Sequence, residues 1–103
     1  MTDLPQQLET AHVLFLDIVG YTRYRIDEQT RWIRQLGAIV KQTPEFQRAK
    51  QPEELIRLHA GDGMALVFFA DPERPVRCAL SIARAIRDEV PELELRMGSG
   101  PAR

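Results

Sequence analysis

Two aspartates, Asp17 and Asp62, stand where a carboxylate needs a reason. Asp17 lies in the stretch VLFLDIVGYT, residues 13–22, directly after four apolar residues that read as a short buried strand. A carboxylate at the end of such a strand is costly unless something pairs it. Gly20, Tyr21 and Thr22 follow and lead into a helix-like segment, so amides at a helix start would lie beside the acid. Asp62 sits in Gly61-Asp62-Gly63 between two apolar runs. Two carboxylates brought close repel, and one takes up a proton unless a cation lies between them. Mg²⁺ or Mn²⁺ suits such a pair: a hard ion with oxygen ligands, its shell completed by substrate phosphates. Two such ions roughly 4 Å apart can activate an attacking hydroxyl and neutralise a triphosphate in an in-line displacement.

Each signal has a plainer reading beside it. Asp suits tight turns without any metal. Gly20 serves close packing equally well, and Thr22 either caps a helix or touches phosphate. It is the joint pattern that points to a metal carrying phosphates.

The elements that must position these residues follow from periodicity. Residues 1–11 are polar, contain Pro5 and read as a flexible lead-in to a domain over 12–103. His12 to Ile18 is the first strand. From Thr22 to about Gln42 the chain reads as helix, with Ile26, Trp32, Ile33, Leu36, Ile39 and Val40 as its apolar face and a weak point at Gly37. Pro44 to Pro52 is a connector anchored by Phe46. Leu55–Ala60 and Met64–Ala70 form a hairpin across Gly61-Asp62-Gly63, a junction that calls for positive φ. Asp71 and Pro72 open a second helix as cap and first-turn residue. In it Val76, Ala79, Leu80, Ala83, Ile86 and Val90 are the expected core. Pro91 stops that helix, and Leu93–Met97 is a last short strand before Gly98-Ser99-Gly100-Pro101.

The order β-α-β-β-α-β is that of the α+β, ferredoxin-like split βαβ fold: an antiparallel sheet with helices on one face. In that arrangement the third strand lies between the first and second. The end of the first strand and the turn after the second then share one edge, so Asp17 and Asp62, far apart in sequence, become neighbours.

Composition narrows the class. At 103 residues the chain holds one domain with a modest core. A net charge of -1 and a pI near 6.1 lack the electrostatic footprint of a nucleic-acid binder. The lone Cys78 has no internal disulfide partner and reads as a small buried apolar residue. No apolar run approaches the roughly 18 residues of a membrane span, so no membrane segment and a cytoplasmic location are expected.

FLDIVGYT resembles the signature of the class III adenylate/guanylate (nucleotidyl) cyclase domain, in words Phe, any residue, Asp, Ile, any residue, Gly, Phe, Thr, with Tyr21 in place of Phe. GDGMALVFF resembles the family's hairpin motif, PVRCALSIARAI its following helix and LRMG its fourth strand, over about residues 12–101 and closest to bacterial members. The resemblance implies that Asp17 and Asp62 bind two metal ions with the Ile18 carbonyl as a further ligand. It implies that the amides of Val19, Gly20, Tyr21 and Thr22, with the Thr22 hydroxyl, hold the triphosphate of ATP or GTP. It also implies cyclisation by the ribose 3′ hydroxyl at the α-phosphate, release of pyrophosphate, and a homodimer or a complementing half that shares the site.

Three departures stand against a complete enzyme. The family's domain continues for roughly as many residues again, and the Asn and Arg that contact ribose and transition-state phosphate have no match here. Gly98-Ser99-Gly100-Pro101 is two residues shorter than the family's pattern of Gly, Ile, His, Ser or Thr, Gly, Pro. The base-selecting position, usually Lys or Glu, is Leu58, and Arg57 beside it points to the opposite face of a strand. The chain therefore reads as the metal-binding half of a cyclase, inactive by itself, or as a catalytically silent cyclase-like module for dimerisation or regulation.

Overall fold

A computed structural model describes residues 11–48, 55–69 and 71–101. The lead-in at 1–10, positions 49–52 of the expected connector, and Ala70 lie outside them. Four strands form a single antiparallel sheet: β1 (Ala11–Ile18), β2 (Leu55–Ala60), β3 (Gly63–Phe69) and β4 (Leu95–Pro101), in the order β2-β3-β1-β4. The described residues also form three α-helices: α1 (Ile26–Gln42), the short α2 (Pro44–Arg48) and α3 (Glu73–Glu89).

β1 pairs with β3 on one side and β4 on the other, so alternation along it decides what both faces see. Leu14, Leu16 and Ile18 face the helices and are buried, together with Met64, Leu66 and Phe68 of β3. They share one core with Trp32, Leu36, Ile39 and Val40 of α1 and Cys78, Ile82 and Ile86 of α3. Deleting a Leu side chain from such a core typically costs 2–5 kcal/mol. The opposite face carries Phe15 and Leu58, each more than half exposed.

α1 starts later than periodicity suggests. A three-residue 3-10 turn, Tyr21–Arg23, comes first, and Tyr24 and Arg25 are extended before the helix begins at Ile26. Glu28 supplies the stop-and-start signal by accepting the Arg25 N–H at 3.1 Å, as a residue at the third helical position can. Ile26, at the first helical position, is 80% exposed and takes no part in the core. The helix runs unbroken through Gly37.

The expected connector contains α2. Thr43 is buried and accepts the Phe46 N–H on its hydroxyl, while Pro44 occupies the first helical position, where its missing N–H costs nothing. Phe46 packs against the core as an anchor.

In α3 the buried stripe is rotated from the expected one. Pro75, Cys78, Ile82 and Ile86 face inward, whereas Val76 and Leu80 are each 53% exposed and Ala83 is exposed. The helix carries two apolar stripes and the sheet can cover only one. Pro72 stands at the N-cap rather than in the first turn, and Asp71 just before it accepts the Glu73 N–H on Oδ1 at 2.9 Å.

β4 extends through Gly98-Ser99-Gly100-Pro101 rather than ending at Met97. Pairing with the otherwise open side of β1 recruits residues that are poor strand formers in isolation, and Pro101 is tolerated because β4 is an edge.

Candidate functional site

The end of β1 and the β2–β3 turn meet through their backbones. The Ile18 N–H donates to the Asp62 carbonyl at 2.9 Å, and Asp17 stands directly opposite Gly63 in the β1–β3 ladder. The approach is too close for a side chain: a Cβ on Gly63 would lie 1.7 Å from the Leu16 carbonyl oxygen and 3.0 Å from Asp17 Cα. Gly63 is therefore the residue that lets the hairpin close onto β1. The turn at Gly61-Asp62 forms without left-handed φ at either flanking glycine, contrary to the expectation from its sequence.

Asp17 is half-buried on the face away from the helices, and Asp62 is exposed in the turn. Neither has an ion-pair partner among the described residues. Arg96 of β4 stands directly opposite Asp17 on the same face and puts a positive charge beside it. That neighbour follows from β4 lying next to β1, not from any local motif.

The loop after Asp17 differs from the expected helix start. Gly20 adopts φ 70° and ψ 22°, a left-handed conformation, and a Cβ there would meet only Arg23 Cδ at 4.0 Å. Its role is conformational rather than one of packing. The Val19 N–H is already bonded to the Glu94 carbonyl at 3.0 Å, so it is not a free phosphate donor. Gly20, Tyr21 and Thr22 open the 3-10 turn, whose first amides have no acceptor within it. Because the turn is only three residues long, its dipole is far smaller than that of the long helix expected there. Thr22 lies within the turn and exposed, and caps no helix. Gln29 of α1 fastens the loop by donating from its side chain to the carbonyls of Tyr21 at 3.0 Å and Tyr24 at 3.2 Å. No sequence signal marked that role.

Asp17, Asp62 and the Ile18 carbonyl are oxygen donors, the donor type that hard divalent ions take. Among the described residues no group of three or more His, Cys, Asp or Glu side chains gathers in one place, so the chain offers no closed protein cage. Two carboxylates and a main-chain carbonyl at one sheet end are the type of partial oxygen set that phosphates complete. Leu58 faces the open side with Phe15, and Arg57 lies on the helix side, as alternation requires.

No protein-family model matches the sequence, and no curated protein matches it. Among the described residues no helix is long and apolar enough to cross a membrane.

Proposed function

We propose that this chain is the metal- and nucleoside-triphosphate-binding half of a class III nucleotidyl cyclase domain, with a ferredoxin-like core, acting in cyclic-nucleotide signalling in the cytoplasm. The observation that carries the reading is the backbone junction of Ile18 and Asp62, which brings the two motif aspartates to one end of the sheet. The strand order β2-β3-β1-β4 supports the ferredoxin-like description.

In this reading Asp17, Asp62 and the Ile18 carbonyl hold Mg²⁺ or Mn²⁺. When bound, the ions supply charge neutralisation for the triphosphate of ATP or GTP and acidify the attacking hydroxyl. The chain's own contribution is to orient phosphate. The amides of Gly20, Tyr21 and Thr22 and the Thr22 hydroxyl donate to phosphate oxygens, and Gln29 keeps their loop in place. Val19 contributes only if its bond to Glu94 opens. Arg96 adds a cation beside Asp17.

A second reading, a silent cyclase-like module for dimerisation or regulation, is favoured by Leu58, which has no polar atom to read a base. Losing a donor that stabilises developing charge typically costs roughly 10² to 10³ in rate, so the isolated chain should form no cyclic product. A homodimer or a complementing half would then complete the site.

Titration calorimetry with Mn²⁺ and a non-hydrolysable nucleoside triphosphate tests binding. Asp17→Ala and Asp62→Ala should each abolish measurable uptake, while Asp71→Ala at the start of α3 should leave it intact. Equal affinity in all of these proteins would overturn the site. If binding holds, a cyclase half supplied in trans with its own metal aspartates mutated should restore synthesis; failure of every such partner would favour the silent module.

A further inference from the structure

The face of α1 turned away from α3 does not close against the sheet edge. Between α1 and β2 run two adjoining clefts of about 370 and 350 Å³, which share Ile33, Arg34 and His59. The first ends at the hairpin glycines, Gly61 and Gly63, and the second reaches Lys41. Together they form a groove along β2. Its wall is low because α1 presents Gly37 and Ala38 there.

The groove has one sign of charge. Arg34, Lys41 and Arg57 line it, and among the described residues no Asp or Glu does. None of the three is in an ion pair among the described residues, whereas Arg25, Arg74, Arg77 and Arg87 each sit against a carboxylate. The chain's net charge is -1, so this unneutralised patch is local and not a reflection of overall composition. Arg57 is held in the groove from below, its guanidinium 5.8 Å from the centre of the Phe46 ring.

β2 is also an edge. It pairs with β3 alone, so one side of its backbone has no partner strand among the described residues. Edge strands of this type accept an added strand from another chain through main-chain hydrogen bonds. Arg57 and His59 alternate on the groove side of β2. The side chains of an extended peptide alternate at the same spacing, with every second one directed into the groove.

We propose that this groove binds an extended acidic segment of a partner protein, laid along β2 as a fifth strand with its carboxylates against Arg34, Lys41 and Arg57. A polynucleotide would satisfy the cations but leave the β2 edge unpaired. Asp17 faces the other side of the sheet, and although the first cleft reaches Tyr21 and the hairpin glycines, the proposed contacts use only Arg34, Lys41, Arg57 and the β2 edge, so they stand without the cyclase reading.

Fluorescence anisotropy on the full chain with a labelled peptide of alternating Glu and Val tests it. Binding should weaken with salt. Arg34→Glu combined with Lys41→Glu should weaken it by about tenfold or more. Arg87→Glu, a charge reversal outside the groove, should change it less than about twofold. A peptide N-methylated at alternate amides should not bind, because strand addition needs those donors. Circular dichroism checks that the variants fold, as both groove substitutions are at exposed positions. Equal binding of the N-methylated peptide, or of a peptide with Lys in place of Glu, would overturn the proposal. So would an equal loss in Arg87→Glu, or binding of inorganic pyrophosphate without binding of the peptide.

Discussion

Ile18 and Asp62 are joined by a main-chain hydrogen bond of 2.9 Å, so the hairpin turn is tied to the end of β1 by its backbone and not by the aspartate side chain. The same junction depends on the missing side chain of Gly63. Position of the turn and chemistry of the turn are therefore separable by mutation.

Gly63→Ala should be strongly destabilising. Its Cβ would stand 1.7 Å from the Leu16 carbonyl oxygen, a backbone atom in a central strand that cannot step aside alone. Losses of more than about 4 kcal/mol are rare for single substitutions and arise from this type of conflict. Gly61→Ala, with nothing within 4 Å of its Cβ and no left-handed φ, should change stability by less than about 1 kcal/mol. Urea unfolding of the two variants checks the contrast, and equal stability would mean that β3 approaches β1 less closely than described.

Gly37→Ala should stabilise the protein. Gly37 lies in the interior of the unbroken α1, and its Cβ would meet only the Arg57 guanidinium at an ordinary 3.8 Å. The helical preference of Ala over Gly then contributes roughly 0.5–1 kcal/mol. Thermal unfolding should show a higher midpoint; a lower one would mean that the site needs the glycine.

The order of strands and helices was legible because each apolar run has a length and period of its own, and the hairpin glycines separate β2 from β3. Even the approach of the β2–β3 turn to the end of β1 could be read, since it depends on topology alone. What local pattern could not decide was which of two apolar stripes on α3 the sheet would cover, and Val76 and Leu80 are exposed as a result. Nor could it place β4, where Gly98, Ser99 and Gly100 read as loop until β1 offers them a pairing partner. Arg96 was missed for the same reason. The break between the 3-10 turn and α1 depends on Glu28 and Gln29 bonding to backbone groups upstream, contacts that leave no periodic trace.

Cys78 should make stability fall at high pH. Burial pushes its thiol up from 9.0 to about 11, with the Thr43 contact opposing weakly and Glu45 adding to the rise. As pH climbs past about 9 the unfolded chain loses this proton while the native protein keeps it, so the unfolded state gains and stability declines until about pH 11. The loss amounts to roughly 2–3 kcal/mol in total. Cys78→Ala should remove that part of the pH dependence. Unfolding curves that run parallel from pH 8 to 11 in the two proteins would show that the thiol ionises as easily folded as unfolded.

The face of the sheet away from the helices should drive self-association. Phe15 lies opposite Ala65 in one ladder, and Ala65 lies opposite Leu58 in the next, so the two large side chains form one row across the sheet. They are 54% and 53% exposed, and on the other side of Phe15 stands only Gly98, which covers nothing. Contiguous apolar surface of this type is where soluble proteins meet partners or aggregate. Phe15→Glu and Leu58→Glu should each shift the protein toward monomer in sedimentation velocity and reduce binding of an apolar dye. Because both positions are more than half exposed, folding stability should change by little, about 0.5 kcal/mol. A wild-type protein that sediments as a monomer at high concentration and binds no dye would show that this row is covered in solution, and the variants would then have nothing to release.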